Sequence, residues 1–405
     1  MADTFLHGVE ILELDSGSRP VSTVKSSVIG LVGTAPMGPV NTPTLILGSK
    51  TDAVSTFGEH TDGYTIPAAL DAIFDQTGAI VVVVNVADPD VHLTDGVLDP
   101  TLVSMGDIIG GTTTDGQYTG VQCLLAAQTE VSAQPRILIA PGFTHEEPED
   151  DDGEKLVNPV VSELLIVAER LRAVAIADCQ NSTKEDAVSY QSQWGSSRLY
   201  TAYPWAKVYD SDTDTIREEP LSARIAGLIA QSDNDRGFWW SPSNLTISGI
   251  VGISKPIDFT LGDSSCVANY LNENNVATVI QQDGFRLWGN RTASADSKWA
   301  FLSVRRTADM INDSLLNAHL WAVDRNITVT YVEDVCDSVN NYLRYLKNIG
   351  AVLGGSCWAD SSINTSDQIQ QGKITFDFDF TPPYPAEHII FRSRMVDDYL
   401  TELFS

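Results

Sequence analysis

The side chains that could catalyse a reaction are scattered along this 405-residue chain. Gly30, Gly33 and Gly38 follow an apolar run, but their spacing fits neither the Gly-x-Gly-x-x-Gly pattern nor a phosphate-binding loop with its lysine. Gly262-Asp263-Ser264 is similar to the start of a serine hydrolase block, but no Gly-x-Ser-x-Gly elbow is present. The sequence therefore predicts no catalytic residues and no cofactor. A soluble α/β enzyme is kept only as a remote alternative.

Metal-binding chemistry is not indicated either. The histidines have no metal-ligand spacing among them; they are His7, His60, His92, His145, His319 and His388. The five cysteines are widely spaced and include no Cys-x-x-Cys pair, which indicates reduced core thiols. The acidic residues between Glu146 and Glu154 could attract Ca²⁺, but they lack the alternating ligand spacing of an EF-hand. We interpret them as a solvated loop and predict no metal site.

The charge balance limits the kinds of partner. Asp and Glu number 54 against 25 Lys and Arg, for a formal net charge of −29. Such an acidic chain is repelled by phosphate backbones and anionic lipid, so we expect no direct nucleic acid partner. The longest strongly apolar run, residues 79–84, is far shorter than the ~20 residues of a membrane helix, so no membrane insertion is expected. The first residues show neither a basic nor an apolar leader, which does not indicate a cleaved secretion signal.

The elements that would position any site follow an α/β pattern. Short runs rich in β-branched residues predict strands at 27–32, 44–47 and 79–86, with a helix over 64–74. After Pro135, strands at 137–140 and 173–177 alternate with helices at 160–171 and 184–193. This alternation predicts an α/β fold with a mostly parallel or mixed sheet covered by helices. The Gly- and Thr-rich region of about 88–133 is predicted to be a short, variable surface insertion.

Both ends of the chain carry apolar segments outside this α/β body. Residues 372–380 alternate, with Ile374, Phe376, Phe378 and Phe380 on one face, and a second extended stretch covers 388–391. The candidate arm residues are Val9, Ile11, Leu12 and Leu14 at one end and Tyr399, Leu400, Leu403 and Phe404 at the other. A lone strand exposes unpaired backbone groups, so it is either shielded or paired with another chain.

Several segments together resemble one known family. They are Asp283-Gly-Phe-Arg-Leu-Trp-Gly-Asn-Arg-Thr292, Val304-Arg-Arg-Thr-Ala-Asp-Met-Ile311, and Phe378-Asp-Phe-Thr-Pro382 with Pro385-Ala-Glu387. In this order they resemble the contractile tail sheath proteins of phages and of phage-tail-like bacteriocins. The opening Phe5-Leu-His-Gly-Val-Glu10 is similar to the start of the short, P2-like branch of that family.

The resemblance implies a structural subunit rather than an enzyme. It implies a helical homopolymer of stacked rings around an inner tail tube, with baseplate and tail terminator proteins as further partners. Contraction of such a sheath drives the tube through the target cell envelope. The implied location is a virion tail, or a bacteriocin or related contractile injection particle, assembled in the host cytoplasm. The choice between phage and bacteriocin stays open.

The resemblance also implies a division of the chain. We expect an N-terminal linker arm at 1–20, an N-terminal subdomain at 21–135, a conserved core at 136–385 and a C-terminal linker arm at 386–405. The arms would exchange β-strands between subunits. The C-terminal half of the core would face the tube, through the helix near 303–320 and the loop that precedes it.

A local excess of cations supports a tube-facing role for that part of the core. The candidates are Arg286, Arg291, Lys298, Arg305 and Arg306. Positive charge there could contact an acidic tube. The alternative, which the sequence leaves open, is that Arg286 and Arg291 make internal hydrogen bonds that stiffen the core.

Overall fold

The computed structural model describes residues 20–211, 213–397 and 399. The strands in these residues are β1 (Ile29–Gly33), β2 (Thr44–Leu47), β3 (Ile80–Asn85), β4 (Leu93–Thr94), β5 (Val97–Leu98), β6 (Gly111–Thr112), β7 (Tyr118–Thr119), β8 (Ile137–Ile139), β9 (Val174–Asp178), β10 (Leu199–Ala202), β11 (Ala206–Asp210), β12 (Thr215–Glu219), β13 (Gly252–Ile253), β14 (Val276–Gln281), β15 (Phe285–Trp288), β16 (Gly354–Trp358) and β17 (Asp377–Thr381). The α-helices are α1 (Lys50–Phe57), α2 (Thr65–Phe74), α3 (Met105–Ile109), α4 (Ala127–Glu130), α5 (Pro159–Leu171), α6 (Lys184–Ser192), α7 (Ser222–Asp235), α8 (Val267–Glu273), α9 (Leu302–Ala318), α10 (Val329–Asn348) and α11 (Ser366–Gln370). Short 3₁₀ helices cover Pro100–Leu102, Gly120–Leu125, Ser297–Trp299 and Leu320–Ala322.

A large mixed sheet organises the chain. Its eight strands lie in the order β15-β14-β10-β9-β8-β1-β3-β2. The six strands from β14 to β3 run parallel, and antiparallel β15 and β2 form the two edges. The central strands are buried on both faces, as parallel strands covered by helices must be. The prediction of an α/β fold with a mostly parallel or mixed sheet is confirmed.

Alternate residues of each central strand enter two different cores. Along β3, Val81 and Val83 pack in the layer that contains the apolar faces of α2 and α7. Val82 and Val84 point to the opposite side, into the layer built by α5 and the 3₁₀ helix Gly120–Leu125. The two-residue period of a strand therefore lets one apolar run hold a helical layer on each face of the sheet.

The elements predicted in the first two hundred residues are confirmed. The predicted strands correspond to β1, β2, β3, β8 and β9, and the predicted helices correspond to α2, α5 and α6. Within the region 88–133, Val121, Cys123 and Leu124 are buried against the sheet, so this stretch contributes to the core. At Gly110 and Gly120 two parts of this stretch pack backbone against backbone. Glycine is required there, because a Cβ on Gly110 would lie 1.9 Å from the Thr119 carbonyl oxygen.

A second layer is built by the C-terminal helices. Helices α9 and α10 and the two-stranded β16–β17 sheet enclose a separate apolar core. The first described residues join this layer: the Val24 N–H donates to Ser314 Oγ (3.1 Å), and the Thr23 and Tyr342 hydroxyls lie 3.1 Å apart. The strand predicted over 372–380 begins only at Asp377, because its partner β16 offers five residues for pairing. Phe376, Phe378 and Phe380 pack against this core as the alternation predicts.

Candidate assembly site

Helix α9 lies inside the protein and carries carboxylates on its buried side. Asp309 is 1% exposed and lies between two arginines. Arg198 donates to its two oxygens at 2.6 and 3.0 Å, and Arg305 donates to it at 2.7 Å. Burial acts to lower the pKa of Arg198, but the hydrogen bonds and charge of Asp309 outweigh it, so this pKa is raised. The charged groups are thus paired in the protein interior, where an unpaired charge costs the most free energy.

Three further ion pairs fasten the same helix. Asp313, one turn after Asp309, contacts Arg136 and accepts from Arg172 at 2.7 Å. Arg306 donates to Asp233 of α7 at 2.7 and 2.5 Å, with both side chains almost fully buried. Arg136 and Arg198 immediately precede β8 and β10, so these pairs tie α9 to the central sheet. The sheet and the C-terminal layer are therefore held together by buried charges as well as by apolar packing.

The loop after β15 lies so close to β14 that it requires glycine at position 289. Gly289 has φ +140°, and a Cβ there would lie 2.8 Å from the Cα of Ala277 on β14. Its N–H donates to Ser243 Oγ at 3.0 Å, and its carbonyl accepts from the Tyr200 hydroxyl at 2.7 Å. These contacts fix the backbone just before Arg291 and so set the direction of the arginine side chain.

Arg291 joins this loop to the last described segment of the chain. It donates from Nε to Glu387 Oε1 at 2.7 Å and from Nη2 to Oε2 at 2.5 Å. Its guanidinium carbon lies 5.3 Å from the centre of the Phe301 ring, and that ring meets Tyr384 edge-on at 6.0 Å. The hydrogen bonds with Glu387 raise the pKa of Arg291. The arrangement is a bidentate ion pair supported by a cation–π contact with Phe301, whose ring is held in turn by the edge-on contact with Tyr384.

The β16–β17 sheet offers an open edge. Among the described residues, β17 pairs with β16 on one side and with no strand on the other. The outer side of β16 is occupied at Cys357, whose N–H and carbonyl both bond to the Asn340 side chain of α10. An isolated two-stranded sheet is marginal in water, so the free side of β17 is a place where a further strand would add stability.

The segment after Glu387 leaves the body with its apolar side chains uncovered. Ile389, Ile390, Phe391 and Met395 are 65%, 70%, 92% and 97% exposed. Residues 388–396 are neither helix nor strand. Four large apolar side chains within seven residues would be covered in a protein that works alone, so this exposure indicates an interaction surface.

Other chemistry is limited to single groups. Asp178 is completely buried, and burial raises the pKa of its carboxyl to about 6 although it accepts from the Ser222 N–H at 2.8 Å. The part of the chain that the structure describes contains no group of three or more His, Cys, Asp or Glu side chains arranged to hold a metal ion. In that same part, no helix combines the length and hydrophobicity needed to cross a membrane.

Comparisons with known proteins decide the family. The model of the phage tail sheath protein central domain matches residues 116–293, and that of the phage tail sheath C-terminal domain matches residues 294–395. A third model, the domain III N-terminal region of the Gp18 tail sheath protein, matches residues 26–86. The chain is 42% identical to a putative prophage major tail sheath protein of Pseudomonas aeruginosa strain UCBPP-PA14, over 99% of both chains. This chain belongs to the phage tail sheath family.

Other tail sheath proteins match along their whole length. The tail sheath protein of Escherichia phage P2 is 34% identical, over 98% of this chain and 97% of its own. Among solved structures, the sheath of the extracellular contractile injection system PVC in its contracted state has a TM-score of 0.70 at 19% identity, covering 98% and 99% of the two chains. The contracted helical sheath of the anti-feeding prophage has a TM-score of 0.69 at 21% identity, covering 97% and 100%. The sequence-based assignment to the tail sheath family, with a structural role, is confirmed.

The structure places the five predicted tube-facing cations of this sheath protein in different environments. Arg305 and Arg306 are engaged with Asp309 and Asp233 in the interior. Arg286 donates to the backbone carbonyls of Gln282 and Asn244 at 2.7 and 2.9 Å, and Arg291 binds Glu387. Lys298 is exposed, with its ammonium 5.8 Å from the centre of the Trp299 ring. Arg286 and Arg291 therefore make internal hydrogen bonds, as the alternative stated. Contact between the predicted cations and a tube stays a prediction.

The predicted arm residues are mostly outside the described part of the chain. Tyr399 is described and is strongly exposed. The others fall in stretches that the structure does not describe; they are Val9, Ile11, Leu12, Leu14, Leu400, Leu403 and Phe404.

The sequence-based interpretation missed the buried charges around α9. Asp309 and Asp313 are spaced four residues apart, which puts both on the side of the helix that carries Leu302 and Arg306. That side lies opposite the apolar stripe of Val304, Ala308 and Ile311, where an amphipathic helix normally meets solvent, so the spacing alone does not show that these carboxylates are buried. Their partners, Arg136 and Arg198, lie more than a hundred residues away and carry no local signal.

Proposed function

We propose that this sheath protein polymerises as stacked rings around an inner tail tube and that its terminal arms link neighbouring subunits. The observation that supports the proposal best is the uncovered apolar segment 388–396, together with an edge of β17 that no strand of the described residues occupies. Ten extended residues, 388–397, span up to ~33 Å, which is enough to leave one subunit and reach the next. The free edge of β17 is the acceptor we propose for an arm strand.

Strand addition of this kind makes a link of moderate strength. An arm that forms ~6 backbone hydrogen bonds gains roughly 3–9 kcal/mol, before the entropy of ordering the arm is subtracted. The apolar side chains add to this when they are covered. One link is therefore reversible alone, and many links in a lattice keep the subunits connected while larger contacts change.

The body is suited to move as a unit. The buried pairs of Asp309, Asp313 and Arg306 join α9 to the sheet and to α7, so a change in shape within the subunit would have to break them. We infer that contraction turns whole subunits and exchanges the contacts between them. The bending then falls on the arms, and the widening and shortening lattice drives the tube through a target envelope.

Contact with the tube is proposed for the surface around Lys298. Of the five predicted tube-facing cations, Lys298 is the one whose side chain is exposed. Among the described residues, no carboxylate lies within ion-pair distance of it. We expect Lys298→Glu to weaken binding to an acidic tube protein at low salt, with the difference disappearing at high salt. Equal binding of variant and wild type at low salt would remove Lys298 from the tube-facing set. Charge reversal of Arg305 or Arg306 is a poor test, because it would disrupt interior ion pairs.

The surroundings of the polymer follow from the family. We propose a baseplate at one end and a tail terminator at the other, within a virion tail or a phage-tail-like bacteriocin particle assembled in the bacterial cytoplasm. The Pseudomonas aeruginosa relative is described as a prophage protein, which is compatible with either setting.

A proline test separates arm pairing from other assembly contacts. Proline at position 390 removes the backbone N–H that a strand would donate, whereas alanine removes the side chain and keeps the N–H. Because Ile390 is mostly exposed, both variants should unfold at the wild-type temperature. We expect negative-stain electron microscopy to show tubes for wild type, fewer tubes for Ile390→Ala and none for Ile390→Pro. Because only alternate N–H groups of a strand face a given partner, normal tubes from both Ile390→Pro and Phe391→Pro would rule out strand pairing here.

Truncations test each arm as a whole. Deleting residues 1–15, or cutting after Val396 or after Glu387, should leave a folded subunit that does not polymerise. Tubes from any of these truncated chains would show that the removed segment is not a required link.

A further inference from the structure

We propose that Arg291 and Glu387 form a clamp that fixes where and in which direction the C-terminal arm leaves the subunit. This rests on the proposed arm function and assigns a positioning role to two residues on different parts of the chain. The proposal also assigns a role to the loop after β15, since that loop presents Arg291.

The first support is the position of the clamp in the chain. The strand β17 ends at Thr381, and the exposed apolar segment starts at 388, so Glu387 is the last residue before the uncovered part. Between them, Pro382 is buried, and Tyr384 packs edge-on against Phe301. The root of the arm is thus held at two successive points, and the free part begins immediately after the second.

The second support is the rigidity of the arginine's side of the clamp. Arg291 lies opposite Phe301 as an antiparallel bridge, with the Thr292 N–H donating to the Ala300 carbonyl at 2.7 Å and the Leu302 N–H donating to the Asn290 carbonyl at 3.0 Å. This ladder places the guanidinium against the Phe301 ring. Its fixed fork can then bind both oxygens of Glu387, which a lysine could not reproduce.

The third support is the geometry of the pair. Both side chains are only partly buried, 39% and 35% exposed, and an ordinary ion pair at that exposure contributes little to folding. A bidentate pair nonetheless specifies an angle, because two parallel hydrogen bonds fix the carboxylate plane against the guanidinium plane. The pair is therefore suited to orient the arm and adds little to the stability of the body.

Charge exchange within one chain tests the clamp. The variants are Arg291→Glu, Glu387→Arg and the double variant, with Lys347→Glu of α10 as a control for reversing an exposed cation elsewhere on the subunit. We expect each single variant to raise the critical concentration for tube formation roughly two- to fivefold. The double variant should return it toward wild type, and the control should leave it unchanged. Thermal unfolding of the dilute subunits should stay the same throughout.

Mixing identifies which chain supplies each partner. If the clamp is within one subunit, an equal mixture of the two single variants stays defective, because neither subunit contains a complete pair. Rescue by mixing would mean that the pair forms between subunits and would overturn the proposal. It would also be overturned if the single variants assembled like wild type. A lowered unfolding temperature of the single variants would overturn it too, because a folding defect would then explain the loss of assembly.

The truncation after Glu387 separates this inference from the proposed function. If that truncation prevents assembly while the clamp variants assemble normally, the arm is a link and the clamp is not needed. If the truncated chain itself forms tubes, the arm function fails, whatever the clamp variants do.

Discussion

Replacing Asp309 by asparagine removes the charge at the centre of the buried ion pairs. Asp309 accepts four hydrogen bonds from Arg198 and Arg305, and its side chain is 1% exposed. Asparagine keeps the shape but removes the counter-ion of Arg305 and one of the two counter-ions of Arg198. Removing one partner of a buried pair costs about 3–5 kcal/mol. Arg198 retains Glu169 at 2.5 Å, so we expect the lower end, about 3 kcal/mol.

This loss translates into a measurable shift of the unfolding temperature. An unfolding entropy of about 2.1 cal/mol/K per residue gives about 0.85 kcal/mol/K for 405 residues, so 3 kcal/mol corresponds to about 4 °C. The assay is thermal unfolding of the dilute, unassembled subunit followed by circular dichroism. Arg305→Gln is the matched control, because Asp309 then keeps both bonds from Arg198. We expect that control to lose about 1 kcal/mol.

Either of two results would refute the reasoning. Asp309→Asn could unfold at the wild-type temperature, which would mean that the buried charges do not hold α9 to the sheet. It could also lose no more than Arg305→Gln, which would mean that Arg198 does not depend on this carboxylate. In both cases the argument for a body that turns as a unit would lose its main support.

Three other predictions probe single features. The pKa of Asp178 is raised to about 6, so its stabilising contribution is complete below its unfolded value of about 3.8 and is lost as the pH rises through 6. Asp178→Asn should therefore gain roughly 2–3 kcal/mol relative to wild type between pH 4 and pH 8, measured by unfolding at several pH values. Gly289→Ala should cost about 1–3 kcal/mol because its Cβ would meet Ala277, whereas Gly111→Ala, with open space around it, should cost little in the same unfolding assay. Burial raises the pKa of Cys357 to about 12, so iodoacetamide at pH 7.5 should alkylate this thiol much more slowly in the folded protein than in urea; equal rates would contradict its burial.

Local patterns were sufficient to predict the parallel body. Residues 79–84 are apolar at every position and five of the six are β-branched, which at this short length favours a strand buried on both faces over a buried helix. The helix α5 was predictable for a similar reason, since Asn158 and Pro159 mark its start and its apolar residues recur at helical spacing. The tail sheath family was predictable because several of its motifs occur in order.

What could not be predicted depends on contacts between distant residues. Arg291 and Glu387 are 96 positions apart, and nothing local to either shows that they form a bidentate pair. One of the two arginine partners of Asp309, Arg198, is also remote, 111 positions away. The strand at Asp377 also begins later than its alternating pattern suggests, because the length of β16 limits the ladder. Strand register and the pairing of distant residues depend on tertiary contacts, whereas a periodic sequence pattern shows only which residues share a face of an element.

The most direct test of the account is a cryo-electron microscopy reconstruction of tubes formed by the full-length chain. The account predicts a lattice in which residues 388–397 of one subunit lie as a strand beside β17 of a neighbour. It also predicts that the Arg291–Glu387 pair is intact within each subunit. A reconstruction in which this segment folds back on its own subunit, or a purified chain that stays monomeric at high concentration with tube protein added, would contradict it.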